Sequence, residues 1–295
     1  MQPLLDTALL IARKRRALAQ AAPGADFLLA RVTEELKDRL GTVERRFSDA
    51  VTVFCVTPAA RDAVLASGKA ESVRRIEAHQ SFLGDDPGLV AAPETLPLEA
   101  ESIDLAVSLL ALHETNDIPG MLIQIRRALR PDGLFLGVMA GAGTLAELRE
   151  SLLAAETEIH GGASPRVIPF TDVRDAGGLL QRSGFALPVT DVDTVTVRYD
   201  TMFELMADLR AMGAANALLD RSRRPGTRLL FQRAAEIYAE RFSDADGRIR
   251  ATFSFVWLSG WAPDASQQKP LKPGSAKMSL AKALEDPKSD DKEQG

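Results

Sequence analysis

Cysteine is almost missing from this chain: Cys55 is the only one among 295 residues. A single thiol closes no disulfide framework and completes no thiolate zinc site, so no metal is expected and a reducing, cytoplasmic setting is the default. Its neighbours Val51, Val53, Phe54 and Val56 mark Cys55 as a buried structural thiol rather than a nucleophile. No apolar run is long enough to span a bilayer, and Asp6 interrupts the short N-terminal one before any cleavage-like signal. A soluble protein is the expectation. Excess positive charge is lacking as well: the net charge is −5, which leaves no electrostatic footprint for nucleic acid.

What is there is core. Hydrophobic residues make up 45% of the chain, and the length suits one large α/β domain with additions. Ile103 to Leu112 is mostly apolar without clean alternation, the pattern of a central strand covered on both faces in a parallel sheet. Asn116-Asp117 follow, able to cap a helix, with Pro119 in its first turn. Met121, Leu122, Ile125 and Leu129 form a stripe that would lie against a sheet. Pro131-Asp132-Gly133 stops this helix and Leu134 to Met139 is a second apolar run, so the unit reads as a parallel strand pair with a right-handed crossover. Ligands collect beyond the carboxyl ends of such strands. That puts His113, Glu114, Thr115, Asn116 and Asp117 at a mouth. Asn116 and Asp117 serve equally well as helix caps, and His113 as a packed or surface residue.

Elsewhere the punctuation is regular. Residues 3 to 20 set Leu4, Leu5, Leu9 and Ile11 beside Arg13-Lys14-Arg15-Arg16, a basic amphipathic helix that suits an acidic membrane surface, a partner, or the solvated face of a helix packed on the domain. After Pro23-Gly24, Phe27 to Leu40 carries a second helix closed by Gly41. Val51 to Val56 is the natural first strand; Thr57 and Pro58 read as the cap and first residue of the next helix, entered through a plain turn. Ser72 to Ile76 is a short strand with a solvated Glu77 at its end. Helices are expected from Gly143 to Leu153 and from Asp172 to Ser183, and a strand from Phe185 to Val197. Between them, His160 to Arg166 is rich in turn residues and carries a cation, as a binding loop would. Residues 199–242 are helical and too long for a connector, which makes them a cap over the carboxyl edge. Phe253 to Trp261 reads as the last strand, antiparallel at the end of the sheet. From Pro263 the chain turns to Pro, Lys, Ser, Asp and Gln, the composition of a disordered tail.

Several of these words resemble a known family. Leu96-Pro97, Ser102-Ile103-Asp104-Leu105, Leu110-Ala-Leu-His113, Asn116-Asp117 and Leu129-Arg-Pro-Asp-Gly133 are similar to the second half of class I S-adenosylmethionine-dependent methyltransferases. Gly162-Ala-Ser-Pro-Arg166, Pro169-Phe170, Gly184-Phe185, Tyr199, Leu205-Met206-x-Asp208-Leu-Arg-x-Met-Gly-Ala-x-Asn216 and Gly260-Trp261 narrow it to the branch of complex I assembly factor 5 and the malonyl-carrier-protein methyltransferase of biotin synthesis. The resemblance spans residues 5 to 262.

It implies a doubly wound, mostly parallel seven-stranded Rossmann-like α/β sheet, with N-terminal helices over 1–45, a methyltransferase-like domain over 46–262, a helical cap over 199–245 and a tail over 263–295. The implied cofactor is S-adenosylmethionine, contacted by Cys55, Thr57, Glu77, Glu94, Thr95, Leu96, Ser108 and Leu109. His113, as base, and Asn116 are the implied catalytic pair, while Arg166 and Tyr199 face substrate or partner. The implied partner is a respiratory complex I subunit or a carrier-bound substrate. Three functions fit: methyl transfer, a catalytically silent binding module for complex I assembly, and the arginine hydroxylation described for the mitochondrial member. The chain departs from the family pattern after its first strand, where a glycine-rich turn lets the cofactor approach the backbone. No glycine occurs between Gly41 and Gly68, and alanine stands before Pro93-Glu94 where the family often has aspartate.

Overall fold

In the computed structural model, which describes residues 2–267, Met1–Pro263 forms one unit and Asp264–Gly295 another. Residues 268–295, most of the tail read as disordered, lie outside the described residues. All elements named below belong to the first unit.

Seven strands form one sheet: β1 (Ala50–Val53), β2 (Val73–Glu77), β3 (Gly88–Val90), β4 (Ile103–Leu109), β5 (Leu129–Ala140), β6 (Ala186–Tyr199) and β7 (Ile249–Trp261). Their order is β3-β2-β1-β4-β5-β7-β6. The first five pair in parallel, and β7 runs antiparallel to both β5 and β6. The helices are α1 (Thr7–Gln20), α2 (Phe27–Thr42), α3 (Ala59–Ala66), α4 (Gln80–Leu83), α5 (Ile118–Ala128), α6 (Ala146–His160), α7 (Val173–Arg182), α8 (Met202–Ala211) and α9 (Arg228–Phe242). No helix among the described residues is long and apolar enough to cross a membrane.

The apolar run around Ile103 is explained by two cores. Leu105, Val107 and Leu109 of β4 pack into one cluster with Leu28, Val32, Leu36 and Leu40 of α2 and with side chains of α3, α6, α8 and α9. Ile103 and Ala106 join the other, filled by Met121, Leu122 and Ile125 of α5 and Ala176 and Leu180 of α7. Each large aliphatic side chain so buried contributes roughly 1.5–3 kcal/mol. The helix stripes are therefore paid out against both faces, and β4 lies between β1 and β5 as a central strand must. Asp117 caps α5 by accepting from the Gly120 N–H at 2.8 Å.

Three expectations are corrected. β7 is not the outermost strand: it sits between β5 and β6, because its aromatic run Phe253, Phe255 and Trp257 is buried. The outer border is β6, fourteen residues long, with Leu187, Val189 and Val192 exposed. Pro131-Asp132-Gly133 does not separate helix from strand; β5 already starts at Leu129, and the pairing with β4 shifts between Ile103 and Leu105 to absorb it. The first strand stops at Val53, three residues early.

Close packing fixes one glycine. A Cβ on Gly260 of β7 would lie 2.9 Å from the Phe185 side chain, which stacks on Phe135 with centroids 5.6 Å apart. Gly260→Ala should lower the unfolding free energy by about 1–3 kcal/mol in denaturant titration, while Gly162→Ala, in open space, should leave it unchanged.

Candidate functional site

The chain leaves β1 through a strained loop, not the plain turn expected. Phe54 and Val56 hold φ of 55° and 66°, left-handed values that cost about 1–3 kcal/mol each for side chains of this kind. The loop is tied at both ends of its polar groups: Phe54 N–H donates to the Ile76 carbonyl at 2.8 Å, Val56 N–H to Glu77 Oε2 at 3.0 Å, and the Val56 carbonyl accepts from Arg75 Nη2 at 3.2 Å. α3 starts only at Ala59, with Pro58 before it. Thr57 caps nothing; its Oγ1 is buried without a partner.

Glu77 is the acid expected at the end of β2, but it is fully buried rather than solvated. Arg75, two residues earlier on the same face and 1% exposed, places Nη2 3.0 Å from Glu77 Oε1. The same guanidinium donates to the Phe82 carbonyl and to Asp86, which Arg61 also pairs. Burial pushes the Glu77 carboxyl up to about 7, against the pull of the Val56 N–H and of Arg75. A cofactor ribose, placed against this acid by the family resemblance, would share its carboxylate with Arg75 and the Val56 N–H, which take one acceptor site on each oxygen. The cleft beside Glu77, bordered by Val56, Glu94, Ala111 and α1 residues Thr7, Leu10 and Ile11, measures about 70 Å³. That is room for a few waters and not for a nucleoside.

On the other side of the loop the carboxyl edge is open. A cavity of about 790 Å³ lies beyond β1, β4 and β5, walled by Leu5, Leu10 of α1, Leu148 and Leu152 of α6, and Phe253 and Phe255 of β7. Met206 and Leu209 of α8 and Phe231 of α9 close it, as the helical cap should. Cys55, Thr57, Leu109, His113 and Arg166 all line it. The His113 Nδ1 accepts from the Ala140 N–H at 3.2 Å, and the ring leans on Phe170 at 5.9 Å. Burial holds its pKa down at about 4, although Glu114 favours the charged form. A neutral ring with an accepting Nδ1 carries its proton on Nε2. The ring is therefore uncharged at neutral pH and offers Nε2–H to the cavity side.

α1 closes the edge from above. Both amide ends of Asn116 hold the segment that starts α1: Oδ1 accepts from Leu4 N at 2.8 Å and Leu5 N at 2.7 Å, while Nδ2 donates to the Leu5 carbonyl at 3.2 Å and to Thr7 Oγ1 at 3.3 Å. Asn116 is thus a latch, with no atom left for chemistry, and does not line the cavity. Lys14 Nζ pairs Glu114 Oε2 at 2.8 Å, Asp6 pairs Arg221, and Arg13 Nη1 donates to the Ala215 and Asn216 carbonyls. The basic helix expected at the N-terminus therefore spends Arg13 and Lys14 inward.

The remaining expected contacts separate. Glu94 borders the small cleft and accepts from the Asn116 N–H at 2.6 Å. Thr95 is exposed, Leu96 is buried with its N–H on Gln124, and Ser108 donates to the Val53 carbonyl inside the sheet. Leu109 N–H points at Cys55 Sγ at 3.3 Å, and burial pushes that thiol up to about 12, the inert thiol expected. Arg166 grips Glu156 through Nε and Nη2 at 3.1 and 2.7 Å, with Ser164 on the same carboxylate. That pairing overcomes burial and keeps Glu156 below its ordinary pKa. Tyr199 lies in the core with α8 and not at the cavity. Glu114 lines the cavity at the mouth expected of it, while the inward turn of Lys14 and the pairing of Arg75 with Glu77 were not foreseen. Only Arg75 left a trace in the sequence, a cation two residues before an acid in an apolar strand.

Comparison with known proteins agrees with the sheet. Residues 40–137 match the methyltransferase domain model. The arginine-hydroxylase NDUFAF5, mitochondrial, of Danio rerio is 39% identical over 271 residues, covering 87% of this chain and 81% of that protein. A malonyl-[acyl-carrier protein] O-methyltransferase of Laribacter hongkongensis is 35% identical over 240 residues, covering 79% and 75%. A putative methyltransferase from Bacillus halodurans has a similar solved structure, with a TM-score of 0.55 at 13% identity, covering 78% of this chain and 98% of that one; it speaks to the fold alone.

Two outcomes follow from the latch and the buried imidazole. Asn116→Ala should free α1, and hydrogen exchange across residues 4–20 should quicken while the β4 amides stay protected. His113 is neutral in the folded chain down to about pH 4 but titrates near 6.5 when unfolded. Its contribution is therefore complete above pH 6.5 and is lost as pH falls to 4, on the order of 3 kcal/mol. His113→Phe should flatten the midpoint of thermal unfolding over that interval.

Proposed function

The chain belongs to the methyltransferase-domain family that contains the NDUFAF5 proteins, and on that premise we propose that it acts in respiratory complex I assembly, binding a client subunit from the cytoplasm at the carboxyl edge of its sheet without using S-adenosylmethionine. The observation that carries this reading is Glu77, fully buried, engaged by Arg75 and the Val56 N–H, and bordering a cleft of only about 70 Å³. The adenosine side of the edge is closed by the same clasp and by α1. On the methionine side, Phe54 and Val56 stand at the left-handed positions that glycine would occupy if a ligand had to touch the backbone. What remains open is the cavity below α8 and α9, and its walls bind and orient rather than transfer a group. Glu114, Lys14 and the loop with Arg166 shape the rim through ion pairs made within the chain.

The name borne by the Danio rerio protein favours a second reading on the same client, hydroxylation of one of its arginines. The two separate by mass: a client co-expressed with this chain would gain one oxygen on an arginine only in the second.

Cofactor use is tested directly. Titration calorimetry with S-adenosylmethionine at millimolar concentration should give no binding heat, and the thermal midpoint should not rise, whereas a ligand at a hundred times its Kd would add about 2.7 kcal/mol. Affinity capture from native membranes and cytosol should recover complex I subunits. Saturable heat, or capture that recovers none of those subunits, would overturn the reading.

A further inference from the structure

The open cavity has a polarity of its own. Its walls are aliphatic and aromatic, and three half-buried polar side chains that reach it have a donor to offer. His113 offers Nε2–H, because its Nδ1 is held by the Ala140 amide. Arg166 engages Glu156 with Nε and Nη2 and leaves Nη1 over. Thr57 brings a buried hydroxyl without a partner. The carboxylate of Glu114 is taken by Lys14, and Thr144 is bonded to both backbone groups of Ser254. Asp26 and Arg210, the other charges on the lining, are opposite in sign. The Thr57 hydroxyl both donates and accepts, so the imidazole N–H and the guanidinium give the site its preference for an acceptor.

We propose that this cavity binds a long apolar chain that ends in a carboxylate, as in a long-chain fatty acid, with the head on His113, Thr57 and Arg166 and the chain along the leucines of α1 and α6. The volume, about 790 Å³, falls in the range of small-molecule sites of this kind. Cationic heads are disfavoured, since they would meet the Arg166 guanidinium and the His113 N–H in apolar surroundings. The imidazole remains uncharged at neutral pH, so the head is held by directed hydrogen bonds and by the one guanidinium. The inference deepens the reading above and rests on it only in that no sulfonium cofactor occupies the methionine side of the edge.

The test uses the full chain and a fluorescent long-chain fatty acid. Saturable binding at one site per chain is expected, displaced by unlabelled palmitate but not by an alkyltrimethylammonium of the same chain length. Combining His113→Phe with Thr57→Val should weaken binding by about tenfold or more. Ala215→Trp puts a ring into the cavity and keeps all three donors; it should abolish binding and stands in if the double variant does not fold. Absence of saturation, equal displacement by the cationic amphiphile, or unchanged affinity in the folded variants would overturn the proposal. A chain that ignores both the fatty acid and S-adenosylmethionine loses this inference and keeps the assembly reading; one that binds S-adenosylmethionine loses that reading.

Discussion

The clasp between Arg75, Glu77 and the Val56 amide is the constraint on which the carboxyl edge depends. A loop with two side chains in left-handed conformations relaxes unless something holds it, and here one buried carboxylate and one buried guanidinium hold it from below. Such a pair gains little over an apolar filling, but loss of either partner strands the other and costs roughly 3–5 kcal/mol. Asp86 and Arg61 extend the chain of charges outward to the surface, so the inner pair is anchored from solvent side to loop. The same contacts that keep the loop in shape occupy the acid that the fold otherwise presents to a ligand.

The edge is thereby divided. On the side of β2 the space is closed by the clasp and by the first two turns of α1; on the side of β5 it stays roomy and apolar. α1 is common to both, with Leu10 and Lys14 bordering the small cleft and the large cavity alike. Its attachment is polar and specific: Asn116 makes four hydrogen bonds to the segment that starts it, and Glu114 and Arg221 take one ion pair each. The apolar contribution beneath it, Leu5 and Leu10 against Ala217 and Leu218, is small beside the two main cores. A cover fastened mainly by two partly buried ion pairs and one amide, over a small apolar contact, is easier to lift than the helices it rests on.

Much of the fold was legible from local pattern. The apolar run from Ile103, the cap at Asp117 and the stripe Met121, Leu122, Ile125 specify a strand, helix, strand unit without reference to anything distant. The position of β7 was not legible, because a strand's neighbours depend on which faces other elements cover, and Phe253 to Trp257 look alike at a border and in the interior. The site was read less well for the same reason. Cys55, Thr57, Leu109, His113 and Arg166 do meet at one cavity, since the carboxyl ends of parallel strands converge there whatever their side chains. The partners of Asn116 and Glu114 are more than a hundred residues away or close to it, and no spacing rule reaches so far. The β1 loop misled most: Thr57-Pro58 carries a sound capping signal, overridden by the hydrogen bonds that pull Val56 toward Glu77.

β6 gives the sheet an outer rim of fourteen residues whose second hydrogen-bonding side meets no described strand. Exposed valine and leucine along such a rim would ordinarily recruit a foreign strand. Asp191 and Asp193 sit in the middle of it, clamped by Arg39 and Arg31 of α2, so an approaching backbone would meet fixed charge where it needs flat, neutral surface. The guanidinium of Arg39 also lies 4.3 Å above the ring of Trp257, which secures that fence to the interior. The chain thus carries on its outer strand a built-in guard against self-association into extended sheets.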